Sequence, residues 1–188
     1  MRRRALVVLV AVAGLALSTV GAWAGQVSVE PDQQYLVLEV AKLDTFEKEV
    51  NAAAGLGFRL LMSTTSDNGT RIQALMERTA TPPDVFRYLL VATFSEKTGD
   101  KEMNDAAAQG FRVVPHTAML KKGLTIFNTN NVVVMERAPA AAERFEYRTI
   151  GAVKTATFHR ELKAAVSEGW KLVDTTYGRV LLERPVMR

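Results

Sequence analysis

A chain that writes one short pattern three times is confined to a small unit built repeatedly. From Tyr35, Tyr88 and Tyr147 a glycine follows at one common offset, as Gly57, Gly110 and Gly169. An aromatic residue comes directly after each glycine: Phe58, Phe111 and Trp170. Between tyrosine and glycine, every copy also holds a Glu (Glu49, Glu102, Glu161) and an Ala (Ala53, Ala106, Ala165) at matching positions. Each copy closes on Glu-Arg, as Glu77-Arg78, Glu136-Arg137 and Glu183-Arg184. Such a period marks a supersecondary unit repeated along the chain. It favours shared architecture over one bespoke catalytic site.

The first copy shows the unit most plainly. Tyr35 to Val40 is β-rich and apolar on both faces, which predicts a buried strand. Asp44 offers an N-cap, with Glu47 three residues on completing a capping-box pattern. Phe46, Val50, Ala53 and Ala54 then recur at helical spacing and form one apolar face. Gly57 ends that face, because only glycine takes the left-handed C′ conformation without a Cβ penalty. The residue after such a glycine packs back on the helix, which places Ala53 under Phe58, Ala106 under Phe111 and Ala165 under Trp170. A second strand over 58–64 and a third over 71–77 flank Asn68-Gly69, a strong hairpin signal. Asn68-Gly69-Thr70 is also a glycosylation sequon, but the hairpin turn accounts for it.

The third copy has strands at 147–153, 170–175 and 179–183, a helix face of Phe158, Leu162, Ala165 and Val166, and a turn at Tyr177-Gly178. The second copy departs most. Thr98 is its expected N-cap, His116 falls on its second strand, and its hairpin is extended over about 119–131. Short Pro/Ala linkers separate the copies, so the expected organisation is 25–79, 84–138 and 144–188 after a leader at 1–24. A unit this small buries too little apolar surface to be comfortably stable alone, so the copies should share a core. The expected class is α+β: three tandem β-α-β-β repeats, with helices on one face of antiparallel or mixed sheet.

The best-formed copy carries Tyr147, Glu161-Leu162, Gly169-Trp170-Lys171-Leu172-Val173 and Leu182-Glu183-Arg184. This pattern resembles the small bacterial domain known as the domain of unknown function 4177 family, with Phe58 and Phe111 replacing the tryptophan in the looser copies. The resemblance implies a β-α-β-β fold, and it carries over no catalytic or cofactor residue.

The amino terminus reads as a secretory signal: Arg2, Arg3 and Arg4, an apolar run from Ala5 to Leu17, then Ala22-Trp23-Ala24. Cleavage between Ala24 and Gly25 is expected, and the rival reading is an uncleaved anchor. Either way the protein is exported, periplasmic or secreted. The chain holds no Cys, which excludes a lipoprotein, a disulfide and a thiolate metal site. The full chain has 24 Lys+Arg against 20 Asp+Glu, but three of the arginines belong to the leader. The near-neutral remainder lacks the basic stripe of a nucleic-acid binder.

No catalytic motif, cofactor motif or metal-ligand spacing is present. His116 and His159 read as ordinary histidines, and Glu49, Glu102 and Glu161 as a solvated or ion-paired face. Two features remain. Arg59, Arg112 and Lys171 follow the three aromatics; on one shared face they would converge on an anionic ligand or a partner's carboxylates, and otherwise their stems cover apolar sheet with the charges in water. The enlarged hairpin offers Lys121, Lys122, Phe127 and Asn130 as a contact surface. The sequence thus predicts a non-enzymatic module that binds a protein partner or itself, with a small-ligand carrier or sensor, its site between repeats, as the alternative.

Overall fold

The computed structural model describes residues 27–30, 32–79, 85–93, 95–122, 129–139, 143–151, 154–176 and 178–186. Residues 1–26, which hold the expected signal segment with Ala24 and Gly25, the stretches 80–84 and 140–142, Phe127 and Tyr177 lie outside the described residues.

Three segments follow one another; the first and third run β-α-β-β, and the middle one has an additional strand. The first comprises β1 (Tyr35–Val40), α1 (Leu43–Gly55), β2 (Phe58–Ser66) and β3 (Arg71–Arg78). The second comprises β4 (Arg87–Thr93), α2 (Glu96–Ala108), the short β5 (Arg112–Val113), β6 (Met119–Lys122) and β7 (Thr129–Arg137). The third comprises β8 (Phe145–Gly151), α3 (Thr155–Ser167), β9 (Lys171–Thr176) and β10 (Arg179–Pro185). Each segment makes its own sheet, with the last strand in the middle: β1-β3-β2, β4-β7-β5 with β6 also on β7, and β8-β10-β9. Every pairing is antiparallel. The fold is α+β and mostly sheet.

Glycine ends each helix as its sequence requires. Gly57, Gly110 and Gly169 sit at φ of 87°, 87° and 88°, where an L side chain is strained. The following aromatic N–H returns to the buried alanine, from Phe111 to Ala106 O at 3.2 Å and from Trp170 to Ala165 O at 3.1 Å. This is a six-to-one closing motif with its hydrophobic contact. In the third copy an arginine stacks on the clasping aromatic as well, with Arg184 over Trp170 at 4.6 Å.

Helix starts differ from expectation. Asp44 and Thr98 do not cap. The N-cap position of α1 is Lys42, which contributes no side-chain bond, and Asp44 lies in the first turn, where its charge favours the helix dipole. The N-cap of α2 is Ser95, whose hydroxyl accepts from Thr98 N at 3.2 Å. Strand β1 is buried on one face only. Leu36, Leu38 and Val40 are in the core, whereas Tyr35 and Val37 are open. In β2 a bulge between Leu60 and Met62 shifts the alternation, so Leu61 and Met62 are exposed and Ser63 is buried. The second strand of the middle unit breaks after Val113. His116 is therefore in a turn at φ 62°, not on a strand, and the chain resumes as β6.

The core is shared across units. One cluster joins Phe46, Val50, Phe58 and Met76 of the first unit to Tyr88, Val132 and Val134 of the second. Another joins Met103, Ala106, Val113 and Met135 of the second unit to Phe145, Tyr147 and Leu181 of the third. Side chains of this size contribute roughly 1.5–3 kcal/mol each when buried, and here each unit depends on its neighbour for part of that burial.

Candidate functional site

Strand register sets three residues in a row across each sheet. Tyr35, Glu77 and Arg59 are cross-strand partners, as are Tyr88, Glu136 and Arg112, and Tyr147, Glu183 and Lys171. Directly opposite residues share a face. The strongest bonds nevertheless run between rows, from one unit to the next.

At the first junction Arg59 reaches Glu136, with Nη2 at 2.8 Å from one oxygen and Nε at 3.0 Å from the other. The same guanidinium lies over the Phe86 ring at 4.7 Å. Tyr88 closes the clasp: its hydroxyl donates to Glu136 Oε2 at 2.9 Å and accepts from Leu60 N at 2.9 Å. From α1, Asn51 reads the edge of β4, donating to Tyr88 O and accepting from Tyr88 N, both at 2.9 Å. Glu47, expected in a capping box, instead accepts from Leu90 N at 3.2 Å.

The second junction uses the same positions. Arg112 pairs with Glu183, Nη2 at 2.6 Å, and lies 4.0 Å over Phe145. Tyr147 accepts from Val113 N at 3.0 Å. Asn104 donates to Tyr147 O at 2.9 Å and accepts from Tyr147 N at 2.8 Å, while Asp100 accepts from Thr149 N at 2.9 Å. A side-chain amide that satisfies both backbone groups of one residue substitutes for a missing neighbour strand. Burial, with the nearby glutamate, pushes both tyrosine hydroxyls well above their ordinary range. Burial likewise raises the Asp100 carboxyl, and the hydrogen bond to Glu183 raises Arg112.

A third contact passes through the turn that interrupts the middle unit. Ser63 of the first unit donates its N–H to His116 O at 3.0 Å and its hydroxyl to Thr117 O at 3.4 Å. Asp174 of the third unit accepts from Thr117 N and Ala118 N at 2.8 and 2.9 Å.

The sequence-derived candidates separate accordingly. Arg59 and Arg112 each pair with the next unit's glutamate, and their side chains remain about half exposed, at 53% and 54%. Lys171, at the third position, is exposed. Along β6 of the middle hairpin burial alternates, with Lys121 inward and Lys122 exposed. Lys121 is buried, which lowers its pKa, and its Nζ donates to Lys122 O at 2.8 Å. Lys122 Nζ donates to Asn68 Oδ1 in the first unit's turn at 2.9 Å. Asn130 lies opposite Lys121 in the β6–β7 ladder. Between the second and third units lie a cavity of about 40 Å³, room for about one water, and a more open cleft of about 450 Å³ lined by Asn104, Ala107, Phe145, Tyr147 and Trp170. The smaller is walled by Met103, Val133, Leu181 and the Arg179–Glu96 pair, and none of Arg59, Arg112 or Lys171 lines either. Among the described residues no cluster of His, Asp and Glu is placed to hold a metal, and no helix is long and apolar enough to cross a membrane.

Asn51, Asn104, Phe86, Phe145 and Asp174 escaped the sequence reading. The asparagines and the phenylalanines each match in two copies of three, which is the signal that could have found them.

The two ends of the chain show the clasp half made. On the first unit, Tyr35 and Val37 are 53% and 66% exposed, and among the described residues Glu77 accepts a 3.5 Å bond from Gln34. On the third unit, Val166 and Leu172 are 58% and 60% exposed, although their counterparts Ala54, Ala107, Leu60 and Val113 are buried in the junctions. Compared with family models, with curated proteins and with solved structures, the chain finds no match.

Proposed function

We propose that the chain is an exported, non-enzymatic interaction protein whose three units are tandem copies of one domain of the domain of unknown function 4177 type. It works by docking polypeptide on its two end faces. The observation that carries this reading is the clasp. The same set of side chains joins unit to unit twice, and each end of the chain presents one unfilled half of it. Exposed Tyr, Val and Leu beside a charged group form an apolar centre with a polar rim, the composition of a protein docking patch. The leader argues for export, and cleavage at Ala24-Gly25 would free the first unit.

The small-ligand alternative receives less support. The arginines expected to attract an anion are engaged with Glu136 and Glu183, and neither the 40 Å³ cavity nor the open cleft of about 450 Å³ between the second and third units is lined by them. The test is photo-crosslinking in the native envelope from a reactive residue placed at Val37 or Leu172. Polypeptide adducts at both positions are expected. A small molecule retained in native mass spectrometry, with neither position giving a polypeptide adduct, would reverse the choice.

A further inference from the structure

The two half-clasps are complementary to each other. The first unit offers the receiving half: Tyr35, Glu77 and the outer edge of β1. The third offers the inserting half: Lys171, Leu172, Val166 and the outward side of α3. We infer that the partner is a second copy of this chain, docked head to tail, with the third unit of one molecule on the first unit of the next. The inference rests on the interaction-module reading and specifies its occupant.

The internal junctions supply the geometry. Position for position, Lys171 stands where Arg59 and Arg112 reach a following glutamate, and Glu77 stands where Glu136 and Glu183 receive them. Leu172 stands where Leu60 and Val113 present an N–H to a following tyrosine hydroxyl, and Tyr35 is that tyrosine. Docking in this manner pairs Lys171 with Glu77, covers Val37 and Tyr35 with Leu172 and Val166, and supplies the Tyr35 hydroxyl with a donor. The charges match in sign, and the apolar residues that are open at each end are those whose counterparts are buried inside.

The ends also differ from the interior, in a direction that makes this junction weaker. Lys163 replaces the strand-reading Asn51 and Asn104, and His159 replaces Glu47 and Asp100. Gln33 stands where Phe86 and Phe145 stack under arginine, and its Nε2 already donates to Tyr35 O at 2.9 Å. Lysine gives one point charge where arginine gives a planar fork. Association between chains is therefore reversible and concentration-dependent, unlike docking within a chain. The interface joins two different faces, so it propagates as an open filament or closes as a ring according to the rotation per chain.

The test is sedimentation of the mature chain over a wide concentration range, with charge-reversed variants. Wild type is expected to gain mass with concentration beyond one chain. Lys171→Glu alone and Glu77→Lys alone should each weaken association by roughly tenfold or more. Mixing the two variants should restore it, because one molecule's Lys171 then meets the other's Glu77 and the reversed groups meet each other. Circular dichroism melting establishes that each variant is folded, and Val37→Asp gives a second disruption that leaves both charged positions intact. A wild type that stays monomeric throughout, or variants that do not complement on mixing, would overturn the inference. Polypeptide adducts from Val37 and Leu172 in the envelope, with a monomeric pure protein, would sink self-assembly and leave the interaction reading standing. Absence of both would remove the two together.

Discussion

The two junctions inside the chain use the same clasp and differ in how it is completed. At the first, Glu136 serves both Arg59 and Tyr88, so one carboxylate holds a guanidinium and a phenol. At the second, Glu183 receives Arg112 and also acts on the Tyr147 hydroxyl, but more weakly than Glu136 holds Tyr88; the close bond of Tyr147 is the one it accepts from Val113 N. The first junction also reads the strand edge with a glutamate, the second with an aspartate one carbon shorter. The shared part, asparagine on the backbone and arginine on glutamate, defines docking. The variable part adjusts how much each docking is worth.

Removing the carboxylates gives the largest separation. Glu136→Ala should cost about 3 kcal/mol, since it removes the close bond to the buried Tyr88 hydroxyl together with the fork to Arg59, and Glu183→Ala, whose hold on Tyr147 is weaker, should cost about 2 kcal/mol. Chemical denaturation measures both, and equal losses would erase the distinction. Next come Asn51→Ala and Asn104→Ala. Each exposes two backbone groups at a partly buried edge and should cost about 1–2 kcal/mol, nearly the same at both junctions. Unequal values would mean that the asparagine is not the common element.

A smaller effect depends on pH. Burial raises the folded-state pKa of Asp100, so its contribution is complete below the ordinary aspartate range and is lost as pH rises through the raised folded value. Asp100→Asn keeps the acceptor for Thr149 N without the charge. Thermal melts from acid to neutral pH should therefore show a flatter profile for the variant, with the gain on the neutral side. Smallest of all, Lys171→Gln should change the stability of the dilute chain by no more than about 0.5 kcal/mol, because its side chain is exposed. A loss comparable to that from Glu183→Ala would show that Lys171 does structural work within the third unit.

The folding device was legible in the sequence because every unit must contain it. Gly57, Gly110 and Gly169, the aromatic after each and the alanine beneath are needed wherever the helix turns back onto the sheet. The docking device was harder to read for a reason of counting. Three units in a line make two junctions, so residues that insert are selected only in the first two units, and residues that receive only in the last two. Asn51 and Asn104 lose their match at Lys163, and Phe86 and Phe145 lose theirs at Gln33. A search for what all three copies share discards these positions. The bulge at Leu60 and the break after Val113 were invisible for a different cause: both answer to neighbouring units rather than to local propensity.

The turn at 116–118 has a bearing on how such a chain can change over time. It offers its carbonyls to Ser63 behind it and its N–H groups to Asp174 ahead, so the middle unit carries one handle for each flanking unit. A duplicated or deleted middle unit would meet a neighbour lacking the matching serine or aspartate. Repeat arrays commonly lengthen and shorten by copying single modules, and here that route is obstructed at the centre. Changing the number of units at the centre therefore requires the matching serine or aspartate to be supplied with it.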